Sequence, residues 1–295
     1  MPSVTTRALS LLFRVTRKPQ LATVERARRR IDAPKDDPAP PAPLRHRYRV
    51  TEREVAGFPV YTVQSSDGPE PQRAVLYLHG GAYVSSITPW HWRLIALMAD
   101  QGCRVEVPLY GLAPGHTHRE AHPFLDRVWA DLVADVPASR TVLAGDSAGG
   151  GLAVALDQRR VARGQEGPAR MILIAPCVET TLTHPGIAEI EPHDPWLATV
   201  GLHECVRAWA GGDDPADPRL SPLYGAHEGT APMDVYVGTH DLLLPDLRRL
   251  RERRSAAGAR TDLITCPGAF HVYPLVPCPE GRRARLRILA SLRRL

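Results

Sequence analysis

Three groups of residues in this 295-residue chain have the types and spacing for nucleophilic acyl chemistry. The first is Gly145-Asp146-Ser147-Ala148-Gly149, preceded by the strand-like TVLAG and followed by a helical run of small residues. A G-x-S-x-G between strand and helix describes a tight turn that exposes the serine hydroxyl, because small neighbours permit the strained backbone. That hydroxyl is a weak nucleophile at neutral pH until an imidazole takes its proton. On a sheet of this kind the acid and then the base follow the serine in the chain, each just past a strand. Asp241, after VYVG, and His271, after LITCPG, meet that requirement. Of the rivals to Asp241, Asp246 is expected to open the next helix as a capping-type residue and Asp234 begins its strand. His240 adjoins the acid, and His116, His118 and His122 precede the serine. The work expected of Asp241 is to orient the His271 tautomer and stabilise the imidazolium.

The third group is LYLHGGAYVSS at 76–86, a strand running into a glycine-rich turn. Backbone N–H groups of Gly80 and Gly81, with that of Ala148, could surround a developing oxyanion. Alone, HGG is a weak signal, and the glycines around Ser147 would also fit plain close packing of helix on sheet. Together with an ordered acid and base, they point to an oxyanion hole. The cluster His116, His118 and His122 invites a metal, but HxH in a Pro- and Gly-rich loop fixes no tetrahedral site with an open position, and no metal is expected. Tyr83 and Trp196 are the candidate pocket residues, whereas tryptophans at helical positions, Trp90, Trp92 and Trp209, more often belong to a core.

These groups require a scaffold of strands ending at one edge. Apolar runs suited to strands begin at Arg73, Cys103, Thr141, Arg170, Met233 and Thr261, and helical periodicity occupies 90–99, 124–133, 149–163 and 246–258 between them. Such alternation predicts a mostly parallel sheet with helices on both faces. HRYRVTEREV and FPVYTVQ read as two antiparallel edge strands, which brings the sheet to about eight. Residues 177–232 are too long for an ordinary crossover and carry a helical pattern at 195–210, so they are expected to form an inserted cap. Two further helical patterns precede a proline-rich stretch at 32–43 that reads as a linker. The expected organisation is therefore 1–44 as an N-terminal cap segment with linker, and 45–295 as the catalytic domain.

Composition narrows the classes. Net charge is +5, but the arginines cluster at 7–30, 248–254 and 282–294 within helical patterns, which suits solvated helix faces and not nucleic acid. The five cysteines are odd in number and lack a CxxC pair, so reduced, mostly buried thiols and a cytoplasmic location are expected. Arg7 and Arg14 bracket too short an apolar stretch for a secretory signal, leaving an amphipathic helix. Packing against the body is favoured over membrane-surface contact for that helix. An oligomer is compatible with the sequence.

His79-Gly80-Gly81-Ala82, Gly145-Asp146-Ser147-Ala148-Gly149, the Asp241 segment and His271 together resemble the hormone-sensitive lipase family of α/β-hydrolases, in its GDSAG branch. The resemblance runs from about residue 45 to the end and includes YGLAP at 110–114, HPF at 122–124 and DPRLSP at 217–222. It implies an α/β-hydrolase fold with a helical cap made from the N-terminal helices and an insertion. It also implies a carboxylester hydrolase for small to medium acyl chains, working through an acyl-enzyme on a small-molecule ester, with no cofactor. A lactone hydrolase, a deacetylase or an amidase would use the same triad, and a non-catalytic ligand-binding relative would lack part of it. Three positions depart from the family pattern: Ala82 where a third glycine is usual, and Gly111 and Gly115 where Arg and Glu usually stand. The charge pair that the family carries near the nucleophile is then missing or replaced. Asp146 is expected to help fix the loops near the elbow.

Overall fold

The continuous apolar runs of the sequence become the inner strands of one sheet, because residues facing either way along them are covered by helices. The computed structural model describes residues 1–67 and 69–294. In chain order it forms α1 (Val4–Thr16), α2 (Val24–Asp32), α3 (Ala42–Arg47), β1 (Tyr48–Val55), β2 (Phe58–Ser65), β3 (Arg73–Leu78), α4 (Pro89–Ala99), β4 (Cys103–Pro108) and α5 (His118–Asp135). There follow β5 (Thr141–Asp146), α6 (Ser147–Ala162), β6 (Arg170–Ile174), α7 (Gly186–Ile190), α8 (Thr199–Ala210), β7 (Met233–Gly238), α9 (Leu244–Ala256), β8 (Thr261–Cys266) and α10 (Pro279–Leu292).

The eight strands lie in the order β1-β2-β4-β3-β5-β6-β7-β8. β2 runs antiparallel to both β1 and β4, and every other pairing is parallel. Along β3, Ala74, Leu76 and Leu78 join a core with Phe124 and Leu125 of α5, Leu152 of α6 and Leu247 of α9. Val75 and Tyr77 face the opposite core, with Ile95 and Met98 of α4 and Ile288 and Leu289 of α10. The period of two is thus present inside an unbroken apolar run. Register places Gly145 beside Leu78 and Leu173, and Gly238 beside Cys266, so β3, β5, β7 and β8 end at one edge of the sheet. Loops leaving that edge are where ligands bind in open parallel sheets.

Several local expectations change. α5 begins six residues before the expected 124, because Thr117 and Glu120 cap each other's backbone and start the helix there. His118 and His122 therefore sit on a helix, not in a loop. The stretch expected as a linker runs without helix or strand from 33 to 41, but it lies against the body: Ser86 donates to the Asp36 carbonyl at 2.8 Å and Pro40 is buried. Two arginines expected on solvated faces are buried. Arg254 donates to Thr230, Ala231 and Thr261, and Arg285 to the carbonyls of Pro274 and Val276. Each guanidinium is satisfied mainly by loop carbonyls and hydroxyls, a solution invisible to charge patterning. All five cysteines are free, and Cys103, Cys205 and Cys278 are buried. Among the described residues no helix is long and apolar enough to cross a membrane. α1 docks through buried Thr6 and Phe13 and leaves Val4, Leu11, Leu12 and Val15 exposed.

Candidate active site

Ser147 occupies the corner between β5 and α6 with φ 49°, in the left-handed region. That conformation costs a non-glycine residue roughly 1–2 kcal/mol and is tolerated where surrounding structure enforces it. Enforcement comes partly from Gly149: a Cβ there would run into the carbonyl oxygens of Leu78 and His79, so only glycine lets α6 close onto the end of β3. The Ser147 Oγ lies 2.9 Å from His271 Nε2, and His271 Nδ1 lies 2.9 Å from Asp241 Oδ2. Asp241 and His271 are buried, and the other Asp241 oxygen accepts the Leu243 N–H at 3.0 Å. Burial alone would lower the pKa of His271. The charge and hydrogen bond of Asp241 outweigh it, helped by Asp194 and Asp146, and hold the imidazole above its ordinary value.

The glycine turn after β3 is tied to Asp146. Its Oδ1 accepts from Tyr77 Oη at 2.8 Å and from the Gly80 N–H at 3.0 Å, and its Oδ2 lies 3.2 Å from His91 Nε2. Burial would raise the Asp146 pKa, but His91, Tyr77 and Gly80 together pull it below the usual range. The Gly80 amide, expected at an oxyanion, is thereby spent on a carboxylate, and Gly80 does not line the cavity beside Ser147. Gly81, Ala82 and Ala148 do line it, and among the described residues their N–H groups have no acceptor. Ala82, the departure from three glycines, takes φ 54°.

A cavity of about 720 Å³ opens over Ser147 and His271. Tyr83 lines it and stacks on Trp209 with centroids 4.6 Å apart, while Trp196 lines it with its ring centroid 6.2 Å from that of His271. Both expected pocket residues thus border the cavity. Trp90 does as well, whereas Trp92 packs edge-on against Tyr61 in the core.

Residues 75–275 match the family described as the alpha/beta hydrolase fold. The chain belongs to the α/β-hydrolase family. Its relatives include an esterase of Acinetobacter venetianus, 30% identical over 71% of this chain and 71% of that protein. They also include an acetyl-hydrolase of Streptomyces hygroscopicus, 31% identical over 72% of each. Among solved structures, an esterase from the bacterial hormone-sensitive lipase (HSL) family superposes with a TM-score of 0.83 at 28% identity, covering 100% of this chain and 99% of that one. The resemblance read from His79-Gly80-Gly81-Ala82 and the GDSAG elbow therefore holds for the fold and for the hormone-sensitive-lipase-like group.

Several residues of this hydrolase escaped the motif search. Asp194, in the 177–232 insertion, is buried and accepts the Leu242 N–H at 3.0 Å, next to Asp241. Desolvation and the Asp241 charge push its pKa up to about 6. The one available signal was an Asp-Pro pair before Trp196. Tyr110 donates to the His79 carbonyl at 2.7 Å and stacks on that ring, bracing the glycine turn from below. At position 111 a Cβ would meet the His116 ring, which also packs edge-on against Phe58, so an aromatic contact stands where the family has a charge pair. The His118 Nε2 lies 2.8 Å from Asp213 and the His122 Nε2 3.0 Å from the Arg219 carbonyl, and neither residue lines the cavity.

Proposed function

We propose that this carboxylester hydrolase works through Ser147, His271 and Asp241, and forms an acyl-enzyme on Ser147. The observation that carries the reading is the continuous chain of contacts from Ser147 Oγ through His271 to Asp241, at 2.9 Å each, opening into one cavity. His271 Nε2 takes the Ser147 proton as Oγ attacks the ester carbonyl, then returns it to the leaving alkoxide. Water repeats the cycle in reverse roles and frees the acid. Asp241 fixes the tautomer with the proton on Nδ1 and stabilises the imidazolium.

The oxyanion is assigned to the amides of Gly81, Ala82 and Ala148, all on the cavity wall and without other acceptors. Gly80 is reassigned to support of that turn through Asp146. Residues 1–44 and 177–232 together form the cap: α2 packs on α8, with the place of a Cβ on Gly201 filled by Leu21. A cavity of about 720 Å³, bordered by Tyr83, Trp90 and Trp196, suits small to medium acyl chains, acetyl groups among them. The intact arrangement of all three triad residues argues against a ligand-binding protein without catalysis.

Hydrolysis of 4-nitrophenyl esters from acetate to palmitate, with fluorophosphonate labelling, tests the reading. Turnover and labelling by the wild type, both lost in Ser147→Ala, are expected, with an optimum at short or medium chains. A wild type that neither turns over nor labels would remove the assignment.

A further inference from the structure

The cavity over Ser147 has one wall of cations. Arg17 after α1, Arg30 of α2 and Lys35 of the 33–41 stretch all line it. Arg30 donates from Nε and Nη2, at 3.2 and 3.0 Å, to the single hydroxyl of Ser85. Its Nη1 has no acceptor among the described residues and is not sealed from the cavity. Among the described residues no carboxylate oxygen comes within 4.0 Å of any of the three cations. Lys35 donates to the Ile31 carbonyl at 2.5 Å, and Arg17 lies over the Trp90 and Trp196 rings at 5.8 and 5.5 Å.

Among the described residues no ion pair neutralises this wall, although Asp36 lines the same cavity and the charge of Asp32 acts on Lys35. Asp32 and Asp36 are exposed on the same stretch and form no ion pair with it, and Asp146, lower in the cavity, is engaged by Tyr77, Gly80 and His91. Cys205, beside Arg30, has its thiol pushed up to about 11 by burial, so it brings no thiolate. Desolvation, and repulsion from Arg17, lower the Arg30 pKa although a bound carboxylate would raise it. A half-buried guanidinium without an anion is unfavourable, and its planar fork matches a carboxylate.

We propose that the wall of Arg30, Arg17 and Lys35 binds an anionic group of the substrate, so that the preferred ester carries a carboxylate away from the scissile bond. This rests on the reading of Ser147 as the ester-cleaving nucleophile. Apolar Leu21, Leu202 and Val206 line the same cavity, which suits a hydrocarbon spacer between the anion and the reacting carbonyl. The competing role for Arg30 is mechanical: it holds Ser85, whose N–H donates to the Gly81 carbonyl at 3.0 Å and so braces the oxyanion turn.

The test is equilibrium binding to the Ser147→Ala protein of two matched pairs. One is 4-nitrophenyl hydrogen adipate against its terminal carboxamide, with the charge on the acyl side. The other is 4-(butyryloxy)benzoate against 4-(butyryloxy)benzamide, with the charge on the alcohol side. At least one acid should bind about ten-fold tighter than its amide, as expected for one charge-assisted contact, and the gap should shrink in high salt. Adding Arg30→Gln should close the gap and Arg30→Lys should restore part of it. Lys35→Gln, at an exposed position, should narrow it by a smaller factor even where an Arg30 variant fails to fold. Equal affinities within both pairs overturn the inference, as does an Arg30→Gln effect that weakens acid and amide alike. Turnover is read separately: esters that bind with the expected ratio yet show no Ser147-dependent hydrolysis would overturn the esterase reading alone.

Discussion

Ser147, Asp241 and His271 stand just beyond β5, β7 and β8, whereas the surfaces facing them across the cavity come from the turn after α1, from α2, the 33–41 stretch and the 177–232 insertion. The first region is held by parallel strand registers, with β5 and β7 almost wholly buried and β8 half-buried at the edge of the sheet. The second is held by a few side chains: Phe13 against Trp196 at 4.8 Å, Leu21 on Gly201, and Lys18 donating to the carbonyls of Glu191 and Asp194. Its Arg28–Glu204 ion pair at 2.8 Å has an exposed arginine and adds little. Geometry carried by backbone ladders survives most substitutions, so damage there must strike the reacting groups themselves. Geometry carried by side-chain contacts shifts with single changes, and those should move substrate choice before they move the chemical step.

The largest effects belong on the sheet side. Ser147→Ala should lower kcat by roughly 10⁶-fold and Asp241→Asn by about 10⁴-fold, with the circular dichroism spectrum unchanged. A loss below ten-fold in either would break the contrast. Next comes Asp146→Asn, which weakens the acceptor shared by Tyr77, Gly80 and His91 at the floor of the cavity. About a 10²-fold fall in kcat with KM nearly constant is expected, because the turn that aims Gly81 and Ala82 loosens. A rise in KM alone would place Asp146 with the wall and not with the chemistry.

On the wall, Phe13→Ala removes a buried ring that meets Trp90, Trp196 and Phe270. Large-to-small changes of this kind cost roughly 3–5 kcal/mol where the surroundings cannot collapse, and here α1 can undock locally. KM should rise about ten-fold with kcat little changed. An equal fall in kcat would mean that the two regions are mechanically one.

A smaller effect concerns stability. Among the described residues both oxygens of Asp246 are buried without a partner, and desolvation together with Glu179 pushes its pKa up to about 7. In the unfolded chain the group titrates near 3.9. Between those values the folded state binds more protons, so stability falls as pH rises from about 4 to 7. Asp246→Asn should therefore raise Tm at pH 8, by the equivalent of about 1–2 kcal/mol, and have less effect at pH 5. A gain that is equal at both pH values would exclude the ionised carboxylate as its cause.

The candidate residues on the sheet side carry local signals: a turn motif and a strand end are readable within about ten residues of Ser147, Asp241 or His271, and the chain order then ranks the candidates. What escaped depends on contacts between distant segments. The Gly80 amide donates to Asp146, which lies 66 residues on, a contact that no local motif shows. Asp246 was expected to cap α9, yet it sits inside the first turn facing Glu179, since helix entry is set by Leu243 and Pro245. The proline stretch at 33–41 read as a tether, and only its packing under Ser86 makes it a wall. Arg254 and Arg285 carry the same charge as their exposed neighbours, and nothing local marks them as buried.

The finest probe of the comparison is Asp194, where the insertion reaches the triad. In the proposed mechanism His271 must be neutral to accept the Ser147 proton, so kcat/KM should be lost as pH falls through its pKa, which the charges of Asp241, Asp194 and Asp146 hold above the usual value. Asp194 is itself pushed up to about 6, so it loses its charge over the same acid range and withdraws its support from His271 as it does so. Asp194→Asn deletes that charge and keeps one acceptor oxygen, for the Leu242 N–H or for the Trp196 and Leu197 N–H groups held by the other Asp194 oxygen. The acid limb of kcat/KM should move to lower pH and steepen to a single-proton slope, with the plateau nearly unchanged. If the limb stays put while the plateau drops, Asp194 serves only by holding the Leu242 amide, and the insertion touches the chemistry through geometry alone.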